Sequence, residues 1–131
     1  MNTVVTALNW KEDMRDLIKD LDPARWKVFQ VLKIVGENDD TVAPLLITAE
    51  QFEYFCMRNH MILSSGEPPV FEDNEDMKGS YWMIDPDGNF FENTQGFLRH
   101  IPLDPENIFS SLESLPVSPL KFHARGGRWG W

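Results

Sequence analysis

The sequence has 131 residues and a net charge of −9, with 42% hydrophobic and 25% charged residues, which suits one globular domain. The acidic charge argues against general binding to nucleic acids or anionic membranes, and neither a membrane-spanning apolar run nor a signal peptide is indicated. One cysteine excludes a disulfide framework, an iron–sulfur site or a Cys-rich zinc site within this chain, so we expect a cytoplasmic protein.

The first 35 residues predict a strand, a helix and a second strand. Residues 2–6 form a short strand so close to the initiator that we expect the chain to be part of a longer one. Asn9 is placed to cap a helix with Glu12 as its capping-box partner, and Asp22-Pro23 ends the helical spacing. The apolar run 28–35 predicts one buried strand. This strand–helix–strand order favours a parallel sheet.

Two cations stand where the second strand begins. Arg25 and Lys27 are two residues apart, and side chains at this spacing point to the same face of an extended chain. The pair indicates either a clamp for one anion or a charged strand end that aids solubility.

A second helix is predicted from about Thr48. Gln51 completes a capping box with Thr48, and Phe52 and Phe55 begin an apolar stripe on one side of the helix. Cys56 belongs to this stripe, so we interpret it as a buried, inert thiol.

The second half of the chain is predicted to be mostly loops around one hairpin. Residues 64–79 read as a long acidic loop, and residues 80–84 and 89–91 flank a DPDG turn sequence, which indicates a β-hairpin. Residues 108–112 predict a short helix before an irregular C-terminal tail.

Few residues suggest chemistry by themselves. The three histidines, at positions 60, 100 and 123, are too dispersed for a metal motif. In Arg125-Gly126-Gly127, the glycines allow backbone N–H groups to turn toward an anion, and the arginine fork matches phosphate oxygens. The alternatives are a frayed tail or an RGG-type RNA-binding segment, and the acidic charge disfavours the latter. Tyr81 alone indicates a half-buried strand aromatic.

Four stretches considered in order change this interpretation. They are MNTVV at the start, KEDMRDLIKDLDPARWKVFQVLKIVGEN at 11–38, EDNEDMKGSYWMIDPDGNFFEN at 72–93 and RGGRWGW at 125–131. Together they resemble the C-terminal half of the viperin family of radical S-adenosylmethionine (SAM) enzymes. The resemblance implies an α/β fold, namely the C-terminal portion of a partial (β/α) TIM-like barrel. Residues 1–131 would then be an incomplete domain, with a β-hairpin and an irregular tail.

The resemblance also implies a reaction. Family members use a [4Fe–4S] cluster and SAM to convert a ribonucleoside triphosphate to its 3′-deoxy-3′,4′-didehydro analogue, an antiviral chain terminator. The CxxxCxxC cluster motif of the family is absent from this sequence. We therefore expect the cluster and SAM ligands in a missing N-terminal half, which would be the partner of this chain. Alone, this chain is expected to be inactive.

Residue roles follow by position from the resemblance. Tyr81 matches a catalytic tyrosine proposed to donate hydrogen or relay electrons, and no residue matches a metal ligand. The matches to residues that bind the nucleoside triphosphate are Asn2, Arg25, Lys27, Asn93, Arg125, Gly126 and Gly127. Among these, Asn93 would contact the base, and Arg125 with its two glycines would close over the γ-phosphate. Two alternatives stay open, a free-standing nucleotide-binding module without a cluster and a degenerate remnant.

Overall fold

The computed structural model describes residues 1–36, 38–81, 83–93, 97–113 and 115–125. These residues form a mixed α/β structure with two three-stranded sheets and no closed barrel. The chain divides into two compact units, residues 1–33 with 40–75 and residues 34–39 with 76–131. Within the described ranges, no helix is both long and apolar enough to cross a membrane.

The first unit contains a parallel sheet. Strands β1 (Asn2–Val5), β2 (Lys27–Gln30) and β3 (Val70–Glu72) lie side by side in chain order. Helix α1 (Arg15–Leu21) connects the first two strands, and helix α2 (Ala49–Asn59) precedes the third. The predicted strand–helix–strand unit with parallel pairing is therefore confirmed.

The core of this unit lies on one face of the sheet. Val5 and Val28 pack there against residues of α1 and α2, in a cluster completed by Ile18, Trp26, Phe52, Phe55 and Leu63. Trp26 is fully buried, and its indole Nε1 donates to Thr3 Oγ1 at 2.9 Å. Because side chains alternate along a strand, the residues between these buried ones belong to the opposite face.

Helix α1 begins later than the sequence predicts. Asn9 does not cap it, because its Oδ1 accepts the backbone N–H of Thr6 at 2.7 Å. Instead, the backbone N–H of Met14, just before the helix, donates to Asn59 Oδ1 at 2.7 Å. The predicted capping box with Glu12 is wrong for this reason. The predicted end is correct, although Asp22 adopts a left-handed conformation (φ 42°) rather than an extended one.

The second strand is shorter than its apolar run. It starts at Lys27, one residue before the run, and ends at Gln30, because β1 ends at Val5 and offers no partner beyond one further bond from Val31 N–H to Val5 O. Val35 lies outside it and is 57% exposed. One continuous strand over 28–35 is therefore a wrong prediction.

The predicted loop 64–79 contains two short elements. Strand β3 pairs with β2, and helix α3 (Asn74–Met77) follows it. Neither is long enough to show a periodic pattern, and β3 depends on its pairing with β2. The capping box of α2 is confirmed, since Thr48 N–H donates to Gln51 Oε1 at 2.9 Å and Gln51 N–H to Thr48 Oγ1 at 3.2 Å.

The second unit contains an antiparallel sheet. Strands β4 (Met83–Ile84) and β5 (Asn89–Glu92) form the predicted hairpin, and β6 (Arg99–Pro102), which the sequence did not predict, pairs with β5. Helix α4 (Ile108–Glu113) confirms the predicted short helix. Helix α5 (Pro119–Ala124) corrects the irregular tail, because Ser118 Oγ caps it by accepting Lys121 N–H at 3.3 Å.

Candidate functional site

The first group of candidate residues lies at the start of the parallel sheet. Lys27 opens β2, and Asn2 is its register partner on β1. Paired residues of neighbouring strands share a face, and Val28, the next residue, belongs to the core. Asn2 and Lys27 therefore stand side by side on the face opposite the helices.

Lys27 has a buried carboxylate as its partner. Its Nζ is 2.5 Å from Glu72 Oε1, and the two side chains are 16% and 1% exposed. The same ammonium lies 4.9 Å from the centroid of the Phe29 ring. Lys27 is thus held in one position by a charge and by an aromatic ring, both on its own face of the sheet.

Arg25 precedes the strand and is partly buried. Its backbone carbonyl accepts a hydrogen bond from the amino group of Met1 at 2.7 Å, and Lys27 N–H donates to Met1 O at 3.0 Å. The segment carrying both cations is therefore aligned by the start of β1. The structure brings Asn2, Arg25 and Lys27 into one region.

The second group is organised by Tyr81 and Arg125. The guanidinium carbon of Arg125 lies 3.9 Å from the centroid of the Tyr81 ring and 5.1 Å from that of Phe122. A guanidinium over an aromatic face is attracted by the negative face of the ring. Two residues assigned to different roles, phosphate binding and hydrogen donation, are thus in direct contact.

Asn93 contacts the segment that leads to Tyr81. Its Oδ1 accepts the backbone N–H of Gly79 at 3.0 Å, and its Nδ2 donates to Met77 O at 3.4 Å. Gly79 has a φ of +64°, a backbone conformation that residues other than glycine rarely adopt. The carboxamide therefore holds a turn two residues before Tyr81.

Helix α5 holds the same segment from its other side. The backbone N–H of Ser118 donates to Gly79 O at 2.9 Å, and Lys121 Nζ donates to Lys78 O at 3.1 Å. Ser80, between Gly79 and Tyr81, is fully buried, with its Oγ donating to Met77 O at 3.2 Å. The approach to Tyr81 is fixed by side chains and backbone together.

The candidate residues thus fall into two groups, one in each unit. Asn2, Arg25 and Lys27 belong to the first, and Tyr81, Asn93 and Arg125 belong to the second. Gly126 and Gly127 lie outside the described residues. Sequence reasoning missed Glu72, which it placed in a loop, and the contribution of Lys121. An acid directly after two apolar residues was the available sign for Glu72.

The chain does not provide the ligands of an iron–sulfur cluster. Its one thiol, Cys56, is partly buried on α2, and this burial raises the pKa of the thiol to about 12. Cluster ligands are thiolates, and a cluster needs several of them. Among the described residues, no group of three His, Cys, Asp or Glu side chains is arranged to hold a metal ion. A cluster does not fit the residues present.

Known proteins related to this chain cover its full length. It is 36% identical to an S-adenosylmethionine-dependent nucleotide dehydratase of Flammeovirga pacifica and 36% identical to one of Lacinutrix mariniflava. It is 34% identical to a protein of the same description from Oncorhynchus mykiss. All of this chain is matched each time, but it spans only 44%, 27% and 38% of the three relatives. No family model matches the chain.

Proposed function

We propose, from the premise that this chain belongs to the S-adenosylmethionine-dependent nucleotide dehydratase family, that it forms the nucleotide-binding portion of such an enzyme. The full-length similarity supports this assignment. The chain spans less than half of each of these relatives, so the activity of the whole protein is part of the proposal. The fold of the whole protein is also proposed, and in it the parallel strands of the first unit would belong to a partial (β/α) barrel.

The proposed reaction is the loss of water from a ribonucleoside triphosphate. The hydrogen on C4′ and the hydroxyl on C3′ are removed, and a double bond forms between these carbons in the 3′-deoxy-3′,4′-didehydro product. That product would terminate viral nucleic-acid synthesis in the cytoplasm. The [4Fe–4S] cluster and SAM of the reaction would be bound by the remainder of the protein, because Cys56 cannot supply the thiolates.

The family resemblance assigns the triphosphate to three cations of this chain. The triphosphate carries about four negative charges, and burying these without cations would be prohibitive. Arg25, Lys27 and Arg125 are the three cationic groups, and Asn2 stands beside Lys27 as a polar partner. Lys27 is already paired with Glu72, so its ammonium would be shared between that carboxylate and a phosphate. Gly126 and Gly127 would add backbone N–H donors to the γ-phosphate.

The observation that carries the proposal is the contact between Arg125 and Tyr81. With the guanidinium carbon 3.9 Å from the ring centroid, a phosphate bound by Arg125 would stand close to the phenol. Phosphate binding and hydrogen donation would then occur on one small structural unit. Asn93 is assigned here to the base on the strength of the resemblance alone.

Titration calorimetry of the purified chain with nucleoside triphosphates tests the binding. We expect Arg25→Ala and Arg125→Ala each to weaken binding about tenfold or more, since a charge-assisted hydrogen bond contributes about 1.5–3 kcal/mol. Lys19→Ala is the matched control, because Lys19 is an exposed cation on α1 that pairs only with nearby Asp16 in the contacts described. Its affinity should stay within about twofold of the unmodified chain.

Lys27 needs a special design, because its removal leaves the buried Glu72 carboxylate without that partner. The double variant Lys27→Met/Glu72→Gln removes both charges and isolates the effect on binding. The absence of measurable heat with every triphosphate would contradict the proposal. Binding without dehydrated product, once the remainder of the protein and its cofactors are supplied, would instead favour a binding module.

A further inference from the structure

We propose that Asn93 is a positioning residue for Tyr81, acting through the turn at Met77–Gly79. This inference rests on the proposed function for the role of Tyr81, but its geometry is independent of that function. It gives Asn93 a task different from contacting the base.

The carboxamide of Asn93 makes two hydrogen bonds to the backbone. Its oxygen accepts the N–H of Gly79 at 3.0 Å and its nitrogen donates to the carbonyl of Met77 at 3.4 Å. Both ends of the amide are therefore directed at the backbone of one turn. Only asparagine among the small side chains offers an acceptor and a donor in this fixed planar arrangement.

A paired strand supports Asn93. Asn93 directly follows β5, the central strand of the antiparallel sheet, which is paired on both sides with β4 and β6. Glu92, the last residue of β5, is 1% exposed and its Oε1 is 3.1 Å from Arg99 Nε on β6. A side chain anchored on a paired strand holds its target more accurately than one on a loop.

The turn at Met77–Gly79 leads to Tyr81. Gly79 is fixed through its N–H by Asn93 and through its carbonyl by Ser118, so both polar groups of this residue are held. Tyr81 follows two residues later with Arg125 over its ring. Releasing the turn would therefore shift the ring relative to the guanidinium, and small shifts of reacting groups are costly for catalysis.

The test exploits the fact that the sequence contains only two tyrosines. Selective carbon-13 labelling of tyrosine gives one signal from Tyr81 and one from Tyr54, which lies on α2 in the first unit and serves as an internal control. The upfield ring-current shift of the Arg125 side-chain protons reports the stacking directly. We expect Asn93→Ala to move the Tyr81 signal, to leave the Tyr54 signal in place and to remove most of the Arg125 shift.

Two further variants separate positioning from a general loss of structure. Asn89→Ala removes an asparagine within β5, whose Nδ2 donates to Asp85 Oδ2 at 3.0 Å, and it should leave the Tyr81 and Arg125 signals unchanged. Asn93→Asp keeps an acceptor for Gly79 N–H and should preserve most of the Arg125 shift. If Asn93→Ala does not fold, Asn93→Asp and Asn93→Ser carry the test, with Ser expected to lose the shift.

Two results would overturn the inference. One is an unchanged Tyr81 signal in Asn93→Ala or, if that variant does not fold, in Asn93→Ser. The other is an equal movement of the signals from Tyr54 and Tyr81. These measurements need no nucleotide, so they stand even if the chain binds no triphosphate. Calorimetry of the unmodified chain with nucleoside triphosphates tests the proposed function separately, and its outcome does not affect the NMR test of the position of the Tyr81 ring.

Discussion

Lys27 on β2 and Glu72 on β3 form an ion pair across two parallel strands, with Nζ 2.5 Å from Oε1. The carboxylate is 1% exposed, so it is almost completely removed from water. A buried charge is tolerated because an opposite charge faces it, and removing one partner costs far more than removing both. The lysine assigned to bind phosphate is therefore also a structural residue.

This pair gives the first prediction. Lys27→Met should lower the free energy of unfolding by about 3–5 kcal/mol, because it removes the ammonium that faces the buried Glu72 carboxylate. The double variant Lys27→Met/Glu72→Gln should recover most of that loss. Urea unfolding followed by circular dichroism measures both values. A double variant no more stable than the single one would show that the ion pair is not the cause.

The second prediction concerns Asn59, a fully buried residue at the end of α2. Its Oδ1 accepts the N–H of Met14 at 2.7 Å, and its Nδ2 donates to the carbonyls of Glu12 and Phe55, each at 2.9 Å. Asn59→Ala removes these three side-chain hydrogen bonds, each of which contributes about 1 kcal/mol. Chemical unfolding should show a loss of about 3 kcal/mol in total.

Met57→Ala is the control for Asn59, since Met57 lies on the same helix and is 67% exposed. It should change the stability by no more than about 0.5 kcal/mol. Equal losses in both variants would mean that α2 responds to any substitution and that the hydrogen bonds of Asn59 have no special role.

The third prediction concerns pH and the hairpin turn. Hydrogen bonds to the carboxylate of Asp85, first from the Asn89 side chain and also from backbone N–H groups and His100, lower the pKa of Asp85 from 3.8 to about 2. The folded pKa is below the unfolded one, so the stabilisation is complete above pH 3.8 and is lost as the pH falls toward 2.

A carbon-13 titration of the Asp85 carboxyl group measures this shift directly. Asp85→Asn should make the stability of the chain less dependent on pH between 3.8 and 2. If Asp85 titrates at its ordinary value, these hydrogen bonds do not stabilise its carboxylate and the prediction is wrong. His100 faces the same carboxylate, with Nδ1 2.8 Å from Oδ2, so His100→Ala should raise the Asp85 pKa part of the way toward 3.8.

The fourth prediction concerns the thiol. With a pKa of about 12, Cys56 is protonated near neutral pH, and only the thiolate reacts with disulfide reagents. At about pH 8, the folded chain should react about 10³-fold more slowly than the urea-unfolded chain, whose thiol has an ordinary pKa. Absorbance of the released thiol measures the rate, and Cys56→Ser gives the background. Equal rates in the two states would contradict a protected thiol.

Local sequence patterns predicted the strand–helix–strand order of the first unit, but not where α1 begins or where β2 ends. The capping box at Thr48 and the DPDG turn depend on neighbouring residues, so they could be recognised directly. The start of α1 could not, because Asn59, its actual partner, is far away in the sequence. Asn9 has the residue type and the spacing of a helix cap, but its Oδ1 accepts the Thr6 N–H instead.

The sequence and the resemblance indicated the candidate residues, but not the contacts that these residues make. The sequence indicated that Arg25 and Lys27 share a strand end, and the resemblance added Tyr81 and Arg125. Neither indicated that the last two stack on each other, or that Glu72 would face Lys27. Both contacts join residues brought together only by folding, and β3, which carries Glu72, is too short to be recognised before its partner strand is known.

Trp26 limits which insertions and deletions this chain can accept during evolution. It stands between Arg25 and Lys27 and fills the core, with its indole bonded to Thr3. A residue inserted between Trp26 and Lys27 would place these two side chains on the same face of the sheet, because side chains alternate along a strand. Segment 25–27 should therefore keep its length in any functional descendant.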